Sequence, residues 1–287
     1  MHYAEYKTIL SGSYGMNLYR GCTHGCIYCD SRSACYRMNH DFEDIEVKAN
    51  SIQILEQQLK RKRNPRMVAT GAMCDPYIPL EDELKITRGS LELIDKYGFG
   101  VAIQTKSNRI MRDIELLQKI NEKTKAVVEI TLTTFDEELC RIIEPNVSST
   151  VERFEVLMSM KEEGIPTVVW LSPILPFIND TSENLYGILD YCIKANVKGI
   201  LCFGFGTTMR EGSRDYFYKN LDIYFPGMKQ QYIKAFKNNY ECLSPNNEKL
   251  NDIFVNFCQK NHIMFKTNEV FSYLHQYEIK SQQISLF

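Results

Sequence analysis

No run in this 287-residue chain approaches the ~18 apolar residues of a membrane span, and the opening Met1-His2-Tyr3-Ala4-Glu5-Tyr6-Lys7 has no long apolar core. Neither a membrane-embedded protein nor a secretory leader is therefore expected. Neither sign of charge is in excess. Lys and Arg number 34 against 36 Asp and Glu, for a net charge of −2 and a pI near 6.3. That balance gives no general pull toward nucleic acid or an anionic membrane, so nucleic acid is a partner that charge does not support. The basic run Lys60-Arg61-Lys62-Arg63 reads as a helix C-terminus, where cations suit the macrodipole, or as a small phosphate-binding patch. Low-complexity stretches and internal repeats are also missing. With 44% hydrophobic and 24% charged residues, the composition is that of a folded domain and excludes a disordered chain.

Cysteine, by contrast, is plentiful, at ten residues. Without a leader these thiols are expected to be reduced and cytoplasmic, where a tight group of them points to metal before disulfide. Three stand together in Cys22-Thr23-His24-Gly25-Cys26-Ile27-Tyr28-Cys29, a C-x3-C-x2-C pattern. Cys35, Cys140, Cys192, Cys202, Cys242 and Cys258 are scattered and read as small core residues.

Short apolar runs flanked by Gly or Pro alternate with helical patterns, as in buried parallel strands and their crossovers. The strand candidates are residues 15–19, 67–70, 100–104, 127–131, 167–170 and 199–203. Helices are expected over 51–61, around Leu91, Ile94 and Tyr97 as far as Gly98, over 112–120, and over 181–195. Another starts at the capping box Ser149-x-x-Glu152, carries Val151, Phe154, Leu157 and Met160, and stops at Gly164. Six such units predict an α/β fold, a partial (β/α)6 barrel of the TIM type, over residues 1–210. From 211 to 287 Tyr and Phe become dense and helices dominate, which predicts a mostly helical C-terminal extension.

The cysteine loop follows the first predicted strand, on the face where parallel barrels build their active sites. Three thiolates can each hold one iron of a cubane and leave the fourth iron open to a small molecule, whereas ordinary ferredoxin-type clusters use four. A structural zinc site with His24 or Cys35 as fourth ligand is the alternative, and a redox C-x2-C pair is another.

This loop, placed after the first strand of a six-unit α/β chain, resembles that of the radical SAM superfamily. The resemblance extends to the spore photoproduct lyase-like branch, the DNA repair photolyase-related proteins. It rests on Tyr19-Arg20-Gly21-Cys22, Asp75-Pro76-Tyr77-x-Pro79-x-Glu81, Thr105-Lys106-Ser107, Arg112-Asp113, Ile143-Glu144-Pro145, Pro173-Ile174-x-Pro176, Gly212-Ser213-Arg214-x-Tyr216-Phe217 and Phe225-Pro226-Gly227, so it covers roughly residues 11–260. It implies a 4Fe–4S cluster on Cys22, Cys26 and Cys29 and S-adenosylmethionine (SAM) as cofactors. It also implies an electron donor such as flavodoxin or ferredoxin, and a lyase-like reaction in which SAM is split to a 5′-deoxyadenosyl radical that abstracts hydrogen from a substrate the motifs do not name. The protein supplies binding, orientation and electrostatics.

The resemblance also gives residue roles. Tyr28 would touch the SAM adenine, or be a core aromatic. Gly71 and Met73, in Gly71-Ala72-Met73-Cys74, would offer backbone acceptors to the methionine amino group. Lys106 would bind the SAM carboxylate, as a point charge suits, or be a rim lysine. Thr131 would hold a ribose or carboxylate, or be an ordinary strand residue. Asp75 belongs to the site or only turns the chain before Pro76, and Tyr77 follows in the same loop. Glu129 shares a strand with Thr131, and a polar residue in a core strand needs a partner. Glu144 closes on the site or pairs with Arg141 or Arg153, while Arg112 and Asp113 look structural. Gly204-Phe205-Gly206-Thr207-Thr208 reads as the last strand–loop turn.

Cys74 is the candidate catalytic thiol. Spore photoproduct lyase uses a cysteine near this turn to return a hydrogen atom, but counted without gaps that position falls on Ala72, and Cys74 on a position where the lyase has serine. The leading expectation is a radical SAM enzyme. The alternatives are a DNA-lesion lyase and a zinc- or cluster-stabilised binding module.

Overall fold

A computed structural model describes residues 1–280; the last seven residues of the expected 211–287 extension lie outside them. Six strands form one sheet: Gly15–Met16 (β1), Met67–Thr70 (β2), Gly100–Thr105 (β3), Ala126–Thr131 (β4), Thr167–Trp170 (β5) and Gly199–Leu201 (β6). They lie in chain order, and every neighbouring pair is parallel. The crossovers carry Ser51–Arg61 (α1), Ile86–Lys96 (α2), Ile114–Lys123 (α3), Thr150–Glu162 (α4) and Ser182–Lys194 (α5). Asn247–Lys260 (α6) packs beside α5. This is the expected partial (β/α)6 barrel. Sequential parallel strands need such crossovers, and all of their loops to the next helix then emerge at one end of the sheet.

Alternation along each strand separates two faces. Val68, Val101, Ile103, Val128, Ile130, Val169 and Ile200 share a core with Leu55, Leu91, Ile94, Leu117, Leu157 and Leu189 of the helices. The alternate residues Met67, Ala102, Val127, Val168 and Leu201 form a second cluster with Val270 and Leu274 of the helix Thr267–His275. The C-terminal helix therefore plugs the concave face at the end where the strands begin. Each such buried side chain contributes roughly 1.5–3 kcal/mol. Met264 also adds to the free edge of the sheet, its carbonyl accepting from Ile200 N at 2.8 Å.

Several local expectations shift. The run 15–19 is not one strand. Tyr19–Arg20 turns away to pair antiparallel with Glu46–Lys48, which pairs parallel with His2–Ala4 in a separate three-stranded sheet. The buried Tyr19 hydroxyl is drawn to Glu81 instead. The helix expected from Arg112 begins at Ile114, after a tighter turn over Asn108–Asp113. The capping box of α4 forms as expected, but Val151 is exposed and Arg153 is buried in its stead, because Arg153 reaches Glu144 at 2.7 Å. Gly206–Thr208 pairs with Glu241–Leu243, two strands too short to show a period.

Candidate active site

The loops at the C-terminal ends of the strands meet around an open cavity. Cys22, Cys26 and Cys29 line it, with Gly71, Ala72, Met73, Cys74 and Asp75 after β2, Gln104, Thr105 and Lys106 at the end of β3, and Thr131 at the end of β4. Every residue singled out for cluster or SAM faces this cavity except Tyr28, which packs among Cys26, Ile27 and Ile143 in the wall behind it. A larger cavity, lined by Lys125, Pro166 and Thr167 among others, opens where β4 and β5 begin, away from the thiols.

Backbone contacts hold the cysteine loop from both sides. Cys22 N donates to Phe42 O at 3.1 Å, Ile27 N to Ile143 O at 3.0 Å, and Asn146 N to His24 O at 3.1 Å. The Ile143-Glu144-Pro145 segment is thus the clamp of this loop. Only glycine fits at position 71: φ is +104°, and a Cβ there would stand 2.0 Å from Gln104 O. The 71–75 turn therefore lies directly on β3.

Asp75 ties the turn to β3. Its Oδ1 accepts from Tyr77 N at 2.8 Å and from Thr105 Oγ1 at 2.7 Å, and its Oδ2 accepts from Lys106 N at 2.7 Å. The turn before Pro76 is there, and the same carboxylate fixes the backbone that carries Lys106. The Lys106 ammonium lies 5.9 Å from the Tyr28 ring centre. Burial pulls its pKa down, but Cys26, Glu144, Asp75 and Cys29 outweigh it and hold Lys106 above its ordinary value. Lys106 is a cation among anions.

Behind Tyr28 runs a buried chain. The Tyr28 hydroxyl donates to Glu144 Oε1, Glu144 Oε2 pairs with Arg153 at 2.7 Å, and Arg153 Nη1 donates to Thr131 O at 2.7 Å. Burial alone would neutralise Glu144, yet Arg153 and Lys106 keep its pKa below the ordinary carboxylate value. Of the two partners open to Glu144, Arg153 takes the place. Arg112 bonds Glu81 at 2.6 Å and Asp113 at 3.3 Å, away from the cavity.

The donor set fits a four-iron cluster. Burial, foremost, raises the pKa of Cys26 and of Cys29, with Lys106 opposing both. The hydrogen bond from Cys74, and then His24, hold Cys22 well below its ordinary value against burial. Three crowded thiols of this kind ionise together only around a cation. A single tetrahedral zinc would draw its sulfurs to within roughly 3.8 Å of one another. The sulfurs of Cys22, Cys26 and Cys29, with or without His24, are not all within 4.8 Å of one another. The cradle is wider than a zinc site and opens onto the cavity.

His24 and Glu129, both raised by the sequence, have surroundings that the sequence did not show. His24 is buried, with Nδ1 at 3.4 Å from Asp75 Oδ2 and Nε2 without a partner among the described residues. Its place inside the C-x3-C spacer was the only signal. Glu129 is buried on the concave face, next to Gln104 and Val168 in register, with Oε2 likewise unpartnered. Burial pushes its pKa up to about 8. Among the described residues the other cysteines form no set of three metal-ligating side chains.

A profile of the Radical SAM superfamily matches residues 16–192. Sequence relatives include an uncharacterized protein of Mycobacterium tuberculosis, 27% identical over 230 residues that cover 78% of this chain and 67% of the other. One from Methanocaldococcus jannaschii is 32% identical over 174 residues, 60% of this chain and 64% of the other. A Pseudomonas phage M6 protein named radical SAM Nalpha-GlyT isomerase is 21% identical over 157 residues, 55% and 32% of the two chains. Among solved structures, a spore photoproduct lyase superposes with a TM-score of 0.62 at 14% identity, over 86% of this chain and 74% of that one. Streptococcus suis SuiB bound to S-adenosylmethionine does so with a TM-score of 0.50 at 11% identity, over 92% and 49%. At these identities the structural likeness is one of fold.

Proposed function

The chain belongs to the radical SAM superfamily, with a 4Fe–4S cluster and S-adenosylmethionine as its cofactors, and we propose that it cleaves SAM reductively to abstract hydrogen from a substrate that enters the same cavity. The observation that carries this reading is the single cavity that gathers three loop thiols, the Gly71–Cys74 turn, Lys106 and Thr131 at the C-terminal end of the sheet. When bound, the reduced cluster supplies the electron that splits SAM and so produces the hydrogen-abstracting radical.

The rest is the work of this chain. Cys22, Cys26 and Cys29 would each hold one iron of the cluster, leaving one iron without a protein ligand. Lys106 takes the SAM carboxylate as a point charge. The carbonyls of Gly71 and Met73 receive its amino group, and Thr131 takes a ribose or carboxylate oxygen. Tyr28 backs the cavity wall, steadied by Glu144 and Arg153. A flavodoxin- or ferredoxin-type donor supplies the electron. Closure of the lower concave face by the terminal helix keeps water away from that end.

A second reading, repair of a DNA lesion, has one observation in its favour. Cys74 lies buried in the same cavity as the cluster thiols, where a thiol can return hydrogen to a product radical. Turnover of a thymine dinucleoside lesion, lost in Cys74→Ala while SAM cleavage persists, is the outcome that would move the reading there.

The test of the main reading is anaerobic reconstitution with iron and sulfide, followed by EPR of the reduced protein with and without SAM. The expected result is a cubane signal that shifts when SAM is added, together with release of 5′-deoxyadenosine, both absent in Cys26→Ala. A signal indifferent to SAM, or stoichiometric zinc on the loop, would overturn the proposal.

A further inference from the structure

The three-stranded sheet on the flank of the barrel carries a cluster that the radical chemistry does not use. His2 stands on the strand His2–Ala4 and Glu46 on the strand beside it, in register with each other. His40 comes from the loop that leads into Glu46, and its ring meets that of His2 edge-on with centroids 4.8 Å apart.

The hydrogen bonds around these rings fix their tautomers. His2 Nδ1 lies 2.9 Å from Asp44 Oδ2, a carboxylate that can only accept, so Nδ1 carries the proton. His40 Nδ1 lies 3.0 Å from the carbonyl of Asp41, with the same consequence. In each neutral ring the lone pair is then on Nε2. Both Nε2 atoms face one carboxylate oxygen: Glu46 Oε2 is 3.5 Å from His2 Nε2 and 4.0 Å from His40 Nε2. His40 is nine-tenths buried at its side chain, and among the described residues its Nε2 has no hydrogen-bond partner. The other oxygen of Glu46 is taken by the Tyr6 hydroxyl, with Arg20 at 4.0 Å.

We propose that His2 Nε2, His40 Nε2 and Glu46 Oε2 form a site for a divalent metal ion of the zinc type. Two imidazoles and a carboxylate are a common donor set for zinc, and tetrahedral bonds of about 2.0–2.1 Å place ligand atoms roughly 3.3 Å apart. Glu46 Oε2 lies within 4.0 Å of both Nε2 atoms, and binding would draw the two rings in around it. The outer contacts are those that metal-bound histidines keep: Nδ1–H on a carboxylate for His2 and on a backbone carbonyl for His40, each orienting its ring. One ligand atom each of His2, His40 and Asp44 also lies within 4.8 Å of the others, so Asp44 stands beside the ion as partner of His2. The fourth position is left to solvent.

Such an ion would tie both ends of the 40–46 loop to the outer sheet. That loop holds the start of the cysteine loop, since Phe42 O accepts from Cys22 N at 3.1 Å and lies so close to Gly21 that a Cβ there would be 2.4 Å from it. The site would therefore stiffen the entrance to the cluster loop from outside.

The experiment is metal analysis of the cluster-loaded protein, with its loop thiols already occupied. The protein is cleared of loose metal with a chelator, dialysed against Zn²⁺, and assayed for zinc and iron together. About one zinc per chain beyond the cluster iron is expected, with at least tenfold weaker retention in His40→Ala and in the near-isosteric Glu46→Gln. Both variants should keep wild-type iron, which shows that they fold. His275→Ala, on the terminal helix, should bind zinc as the wild type does. Cys26→Ala should lose the cluster and keep the flank zinc. No zinc in the wild type, equal zinc in His40→Ala and the wild type, or zinc that disappears with Cys26, would each overturn the proposal.

Discussion

The two ends of the concave face differ in what covers them. Where the strands begin, Met67, Ala102, Val127 and Val168 are apolar, and the terminal helix seals them, along with Leu201 at the end of β6, with Val270 and Leu274. Where the strands end, Gln104 and Thr131 are polar, hydrogen-bond to each other at 3.3 Å, and line a cavity instead of a helix face. The first end gains from burying apolar area. The second presents groups that a sealed core would leave unsatisfied. One end is built for stability and the other to receive a ligand, and Glu129 sits on the boundary.

The comparison breaks if the plug matters to the ligand end. Leu274→Ala leaves a cavity under the strands and should cost about 2–5 kcal/mol, read as a lower midpoint in denaturant at unchanged slope. SAM affinity of the folded, reconstituted variant should stay within twofold of the wild type. A variant that keeps its stability, or loses SAM binding while folded, would show that the terminal helix is not a simple plug.

Glu129 sharpens the boundary through pH. Burial pushes its pKa from the ordinary 4.5 up to about 8. Across that window the native state holds a proton that the unfolded chain has released. Stability therefore falls as pH rises from about 4.5 to about 8 and is flat outside it. Taken over that whole window the contribution is on the order of 5 kcal/mol. Glu129→Gln, which needs no proton, should be more stable than the wild type at pH 7–8 and should lose that part of the slope. Denaturant titrations at several pH values check it, and parallel curves for the two proteins would show that Glu129 is ionised and solvated in the native state.

What the sequence made legible follows period and local chemistry. The sheet was readable because buried parallel strands are apolar, flanked by Gly or Pro, and separated by amphipathic helices. The cysteine loop was readable because a three-thiol spacing is short and local. Arg153 was readable as one possible partner of Glu144, but its burial was not, because its helix pattern expected apolar Val151 in the core. The outer sheet was also missed: His2–Ala4, Tyr19–Arg20 and Glu46–Lys48 are two or three residues each, and their pairing is set by tertiary contacts. Asp75 could be read as a turn residue, but its bonds to Thr105 and Lys106 depend on two loops meeting in space. Tyr28 carried a family role, while its hydroxyl partner lies 116 positions away along the chain.

Lys106 makes the narrowest test of the division. It ends the strand that carries Gln104, and its backbone is fixed by Asp75 whatever its side chain does. Truncation to Ala therefore leaves the turn and the thiols in place and removes one positive charge from among Cys26, Glu144, Asp75 and Cys29. Iron content should match the wild type and the unfolding midpoint should move little, because no apolar core is lost. SAM affinity should fall about tenfold, equivalent to about 1.4 kcal/mol, since a carboxylate that had paired with an ammonium is left in a cavity lined by thiolates. Lys106→Arg should recover part of that loss, charge being kept while the point-like geometry is not. Equilibrium binding of SAM to the reconstituted protein reads this directly. Unchanged affinity in Lys106→Ala would place the ammonium at the rim, and the recognition of SAM would then fall to the 71–74 turn and Thr131. A fall in iron content instead would mean that the charge serves the thiolates, and that cofactor recognition and cluster assembly share one residue at the ligand end of the sheet.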